Sequence, residues 1–147
     1  MKNVKVKEVR ELITPHPSLI GASAPAVQAA EAILRNPTTR AVCVVDKESK
    51  LLGIINIRRL LRHFLPQMFG EDILGRGMLE NLFVGKAKDL ILHPPVYVTE
   101  EDNLENAVKL MVENELDELP VVDKELKVIG ELNILEILSV WLIKTQG

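Results

Sequence analysis

One stretch of this chain occurs twice, and the repetition restricts the fold more than any other feature. Val44-Val45-Asp46-Lys47-Glu48-x-Lys50-x-x-Gly53-x-x-Asn56-Ile57 returns as Val121-Val122-Asp123-Lys124-Glu125-x-Lys127-x-x-Gly130-x-x-Asn133-Ile134. Nine of these fourteen positions are identical at a constant spacing of 77 residues. Identity that dense marks an internal duplication. Each copy has the same local logic. A β-branched run stops at Asp-Lys-Glu, which reads as a turn. A second apolar run enters through Gly and ends at Asn, a good helix N-cap, followed by an apolar-periodic helix.

The flanking segments repeat as well. In the first copy, Val4 to Ile13 leads in and Thr14-Pro15-His16-Pro17 breaks it. Leu19 and Ile20 form a very short strand. Pro25 opens a helix whose apolar face is read as Val27, Ala30 and Leu34, joined by Ile33. Ala41–Val45 and Leu51–Ile55 are strands, and Ile57–Leu65 is a helix with Leu60, Leu61 and Phe64 at helical spacing. In the second copy, Val84 to Leu92 leads in, and His93-Pro94-Pro95 breaks it. Val96 and Val98 form the short strand, and Leu104, Ala107, Val108 and Met111 make the helical face. Leu119–Val122 and Val128–Leu132 are strands, and Ile134–Ile143 is the last helix. The lead-ins align at a spacing of 78, and everything from His16-Pro17 and His93-Pro94 onward at 77. The fold expected is mixed α/β (α+β): two β-α-β-β-α repeats packed through their sheets with approximate two-fold symmetry. A half this small buries too little apolar surface to be comfortable alone. The domains expected are a first repeat over 1–65, a connector over 66–83 and a second repeat over 84–147. The connector carries Met68, Phe69, Ile73, Leu74, Met78, Leu79, Leu82 and Phe83, too apolar for a free linker. Its three glycines argue against one long helix, so it reads as a broken helix packed on the surface or on a partner.

Composition excludes several classes. At 47% apolar and 27% charged the chain is globular, and only 3% is aromatic, so Val, Ile and Leu supply the core. No run reaches the roughly 20 apolar residues of a membrane span, and the N-terminus lacks a signal-peptide core. Cys43 is the single cysteine, so no intrachain disulfide is possible. Cytoplasmic residence follows as the default, with neither a membrane nor a nucleic-acid partner expected. The net charge of −3 divides unevenly: residues 1–70 carry +6 and residues 71–147 carry −9.

The residues Glu118-Leu119-Pro120-Val121-Val122-Asp123 and Gly130-Glu131-Leu132-Asn133-Ile134-Leu135-Glu136 resemble a CBS domain of the cystathionine-β-synthase type. Arg40 to Asp46 and Gly53 to Leu61 resemble a second one. The chain is thus similar to a tandem CBS pair, or Bateman module, over nearly its whole length. The resemblance implies a regulatory module rather than an enzyme. It implies an adenine nucleotide or relative (AMP, ADP, ATP, with S-adenosylmethionine not excluded) in a cleft between the halves, and no metal. It also implies a homodimer formed through the helices, and signalling to a separate client protein. The alternative is a degenerate pair that acts as a dimerisation or protein-interaction scaffold without nucleotide.

The family's ligand pattern is Gly-x-x-Thr/Ser-x-x-Asp, whose Asp accepts hydrogen bonds from ribose hydroxyls. Here Asn56 and Asn133 stand for Thr/Ser, while Arg59 and Glu136 stand for Asp. Arginine has donors only, so Arg59 cannot accept from a ribose hydroxyl, whereas Glu136 can. Asn133 and Glu136 also match a helix capping box, which needs no ligand. Arg58 and Arg59 put cations at a helix start, where the dipole disfavours them and an anion would be welcome. The other reading is a solvated basic face or ion pairs with the acidic half. Arg40 lines the same cleft by resemblance. The expected pose sets ribose at Glu136, adenine against the backbone near Val96 to Val98, and phosphates toward Arg59. His16, His63 and His93 lack metal-ligand spacing and read as structural, and Cys43 reads as a small core residue.

Overall fold

The computed structural model describes residues 3–10, 16–37, 40–69, 85–91 and 94–146, with backbone alone for 65–69 and 146. Among the described residues ten regular elements follow one another: β1 (Leu19–Gly21), α1 (Ala26–Arg35), β2 (Ala41–Val45), β3 (Leu51–Asn56), α2 (Ile57–Phe69), β4 (Val98–Thr99), α3 (Leu104–Asn114), β5 (Glu118–Val122), β6 (Val128–Asn133) and α4 (Ile134–Gln146). The single 3-10 turns Val6–Glu8 and Ala87–Asp89 precede the two halves. The expected order of strand, helix, strand, strand, helix therefore holds in both copies. α2 runs through Pro66 to Phe69, and the rest of the connector lies outside the described residues.

Each half has one three-stranded sheet, ordered β1-β2-β3 and β4-β5-β6. The short first strand is parallel to the second, and the second and third are antiparallel. The repeated Asp-Lys-Glu stretch makes the same hairpin turn twice. Asp46 Oδ1 accepts the N–H groups of Glu48 and Lys50, and Asp123 Oδ1 those of Glu125 and Lys127. The last turn residue is left-handed in both copies, Ser49 at φ 67° and Leu126 at φ 65°. Placing Leu in that region costs on the order of 1 kcal/mol. It turns the Leu126 carbonyl toward the other sheet, where it accepts the Leu51 N–H at 2.9 Å. An antiparallel bridge between Lys50 and Lys127 completes this stitch between the halves.

Register fixes where each side chain goes, because strand residues alternate between faces. Val42, Val44 and Ile55 pack under α1 and α2, and Leu119, Val121 and Leu132 under α3 and α4. The opposite faces meet each other, with Cys43, Leu51 and Val122 buried together and Val128 against them.

Three expectations need correction. The buried face of α1 is Ala26, Ala29, Ala32 and Ile33, while Leu34 is 79% exposed and Val27 and Ala30 are only half-buried. Small side chains let the helix lie close on the sheet, so alanines face the core in place of the larger residues. The spacing also changes later than the sequence alignment puts it. Ile20 pairs with Val44, and Val98 with Val121, so the short strands correspond at 78 and the following hairpins at 77. The length difference therefore falls between the first helix and the second strand of each unit. Third, the lead-ins correspond at 81 and not 78, Val6–Glu8 with Ala87–Asp89, and they cross over. Val4, Val6 and Val9 belong to the core of the second half, and Ala87, Leu90 and Ile91 to that of the first. Val6 N–H donates to Asp102 O at 2.9 Å, and its counterpart Ala87 N–H to Ala24 O at 2.8 Å. Neither half has a complete core without the segment that precedes the other.

Candidate functional site

Both halves end their third strand on Asn and start a helix there, and the two junctions do different things. Asn133 Oδ1 accepts the Glu136 N–H at 3.0 Å, and Glu136 Oε1 accepts the Asn133 N–H at 2.9 Å. That is the reciprocal capping box the sequence pattern allows. Asn133 is 1% exposed and Glu136 0%. A ribose hydroxyl therefore reaches the Glu136 carboxylate only if surrounding chain moves. In the first half, Asn56 Oδ1 accepts the Arg59 N–H at 2.9 Å, and a cationic side chain cannot return the favour. The guanidinium instead donates to Leu90 O at 2.7 Å through Nε and to Ile91 O at 3.1 Å through Nη2. Arg59 thus ties the crossed lead-in to α2, a role the sequence reading lacks.

The residues expected to bind ligand do not all converge. Arg59 lines a pocket of about 260 Å³ with Arg62, His63, Asp89 and Leu90. Val98 is 1% exposed and Val96 packs on the same core, so their side chains face inward. Arg40, Asn56, Arg58 and Asn133 do come together, at the end of the inter-sheet layer opposite the hairpin stitch. There Arg40 O accepts the Ile57 N–H, and its counterpart Asp117 O accepts the Ile134 N–H, each at 2.9 Å. Across the junction the Arg40 N–H donates to Glu118 Oε1 at 2.7 Å. Two small cavities flank this bond. One of about 80 Å³ touches Pro37, Arg40, Asp117, Glu118, Asn133 and Ile134. Another of about 10 Å³ touches Asn56, Ile57 and Arg58 with Arg40. Bound drug-sized ligands occupy about 300–1,000 Å³, so these two cavities are too small for one as they stand, whereas Arg58 and Asp117 also line an open pocket of about 580 Å³ with Val108, Met111, Ile134 and Ile137.

Two acids that the sequence reading passed over dominate its electrostatics. Glu118 is 3% exposed, and burial pushes its carboxyl up to about 7, with Asp117 adding to the rise and the Arg40 N–H opposing it. Glu131 is 2% exposed, and burial, then the charges of Glu118 and Glu136, push it up to about 8. Burial likewise raises the Cys43 thiol well above its ordinary value, with Glu131 and Glu118 adding to it, so Cys43 is a core residue as expected. The available sequence signal was asymmetry: Glu118 and Glu131 stand where the other copy has Ala41 and Ile54. Among the described residues no cluster of three His, Cys, Asp or Glu could hold a metal ion, and His93 lies outside them.

Comparison with known proteins gives the family. The CBS-domain family model matches residues 9–66 and 87–142. The chain belongs to the CBS-domain family. It carries two CBS domains in tandem, and similar proteins share that arrangement. A CBS domain-containing protein from Thermotoga maritima, solved by crystallography, is 34% identical over 97% of each chain, with a TM-score of 0.78. CBSX2 in complex with AMP is 23% identical with a TM-score of 0.73, covering 97% of this chain and 98% of that one. The CBS domain pair of protein MJ0100, in complex with 5′-methylthioadenosine and S-adenosyl-L-methionine, is 16% identical with a TM-score of 0.72 over 96% and 98%. An uncharacterized protein of Methanopyrus kandleri is 31% identical over 142 residues, 95% of this chain and 64% of that protein's length. This CBS pair thus spans less than two thirds of that curated relative. No described helix is long and apolar enough to cross a membrane.

Proposed function

We propose that this CBS pair is a regulatory module. It takes up an adenosine-type ligand in the cleft between its two halves and passes the change to a separate client protein. The observation that carries the reading is the meeting of Arg40 and Arg58 with Asp117, Glu118 and Asn133 at one cleft mouth. Cations suit phosphate, while a carboxylate and an amide suit ribose hydroxyls and base edges. The adenosine ligands of CBSX2 and of the MJ0100 pair support the same ligand class. Binding beside Arg40 and Glu118 then requires that cavity to open from about 80 Å³, which couples occupancy to the angle between halves. The module acts by conformation and not by catalysis, as a homodimer joined through its helices.

Thermal denaturation with AMP, ADP, ATP and S-adenosylmethionine tests this. A ligand at 100 times its Kd adds about 2.7 kcal/mol. At roughly 2–4 °C per kcal/mol for a chain near this size, the melting point should rise by several degrees. Arg40→Ala and Arg58→Ala together should weaken ATP more than S-adenosylmethionine. No shift with any of the four leaves the second reading, a scaffold without nucleotide. That reading is favoured by the small cavities beside Arg40, the fully buried Glu136 and the commitment of Arg59 to backbone carbonyls.

A further inference from the structure

The layer in which the two sheets meet is chemically lopsided. Its centre is apolar, with Cys43 and Leu51 from one half against Val122 and Val128 from the other. Glu118 and Glu131 lie on the same face as Val122. Glu118 sits opposite Asn133 in the ladder and Pro120 opposite Glu131, while the intervening Leu119, Val121 and Leu132 turn to the helices. Glu118 has a donor, the Arg40 N–H. Among the described residues neither oxygen of Glu131 has a hydrogen-bond partner, although the residue is only 2% exposed. In the other copy the same position is Ile54, which suits such a layer. An ionised carboxylate with no donor is strongly disfavoured there, whereas a neutral carboxyl is tolerated.

The groups that act on Glu131 offer no relief. They are Glu118 on the adjacent strand and Glu136 at the start of α4, both acidic, and across the layer on β2 stands the neutral Cys43 thiol. Glu118 in turn feels Asp117 and Arg40 at the cleft mouth. We propose that the junction between the two halves is a proton-operated latch, closed while Glu131 is protonated and loosened when Glu131 ionises. The Arg40 N–H bond to Glu118 spans the same junction at the cleft mouth, so loosening the layer loosens the mouth with it. The latch stands whether or not a nucleotide binds.

The sign follows from the raised carboxyls. The unfolded chain loses both protons near the ordinary value of 4.5, while the folded chain keeps them to about 7 and about 8. Stability from this pair is full below pH 4.5 and declines as pH rises through the window up to about 8. Each retained proton weighs tenfold per pH unit in the unfolding constant.

Cys43, the single cysteine and 2% exposed, reports directly on the layer. Iodoacetamide labelling under native conditions, divided by the rate of the unfolded chain at the same pH, measures how often the layer opens. Between pH 6 and 9 this ratio should rise by on the order of a hundredfold or more in the wild type and by about tenfold less in Glu131→Gln, which mimics the neutral acid and leaves Glu118 to titrate. Melting points should fall with pH in the wild type and much less in the variant. Should Glu131→Gln fail to fold, Glu131→Ile, carrying the residue of the other copy, gives the same reduced pH dependence. A wild-type labelling ratio unchanged from pH 6 to 9 overturns the latch without any variant, as do wild type and variant rising in parallel.

Discussion

Asn56 and Asn133 are the same residue at the same place in two copies, yet they do unequal work. Both accept an N–H three residues on, at 2.9 and 3.0 Å. Only Asn133 also donates its own N–H to a side chain at that position, that of Glu136. Losing a good N-cap costs about 0.5–2 kcal/mol. Asn133 is buried with its partner, so Asn133→Ala should fall at the top of that range and Asn56→Ala at the bottom. Urea denaturation of the two variants reads the difference, and equal losses would discard the idea that the second box matters more. The capping box was legible because its spacing is purely local. Glu131 was not, since a single acid in a strand looks like a solvent-facing residue until the opposite sheet is in place. Only its mate Ile54 hints that this face is covered.

α2 shows how an element can be read correctly and still hold an unread contact. Its periodicity gives Leu60, which is buried, and Phe64, which packs on the same core, while Leu61 turns out 52% exposed. What periodicity cannot give is that Arg59 reaches the carbonyls of Leu90 and Ile91, about thirty residues away in sequence. That contact exists because the lead-in before each short strand docks on the other half. The crossing is a matter of topology, and no local pattern encodes it. The misread face of α1 has a similar origin: alanine carries little apolar weight in a periodicity count but allows the closest approach to a sheet. The Arg59 tether has a measurable consequence. Arg59→Met keeps the aliphatic stem and removes the donors, leaving two part-buried carbonyls unpaired, at about 1–3 kcal/mol each if water does not replace the donors. Hydrogen exchange over 85–91 should accelerate, with that over the matching segment 3–10 unchanged. Uniform acceleration of both segments would mean that Arg59 supports global stability and not the tether.

The duplication made the architecture of the whole molecule legible, since two small copies with one apolar sheet face each have to meet through those faces. It left open what the outer helices do. Along α4, Leu135, Leu138, Trp141, Leu142 and Ile143 are all 42% exposed or more, and Ile57 and Leu61 of α2 are 41% and 52% exposed. Val112 of α3, 72% exposed, lies beside an open pocket of about 580 Å³ lined by Arg58 of α2 and by residues of α3 and α4. Exposed apolar area of this extent marks an interface, and the homodimer proposed above would cover it with a second copy of the chain. Charge then bears on the arrangement. Residues 1–70 carry +6 and residues 71–147 carry −9. Head-to-head pairing sets like against like at both contacts, whereas head-to-tail pairing sets basic against acidic. Like-charge juxtaposition is costly and opposite potentials fix register, within a screening length of roughly 8–10 Å. The expected assembly is therefore a head-to-tail dimer. Ser139 lies on α4, among these apolar residues, and its hydroxyl only donates back to Leu135 O, so it can be replaced without disturbing the fold. In a Cys43→Ala background, Ser139→Cys should leave the protein dimeric by sedimentation but crosslink poorly under mild oxidation. Efficient crosslinking would put the two acidic halves face to face and reverse the arrangement, and a monomer at micromolar concentration would remove the dimer altogether.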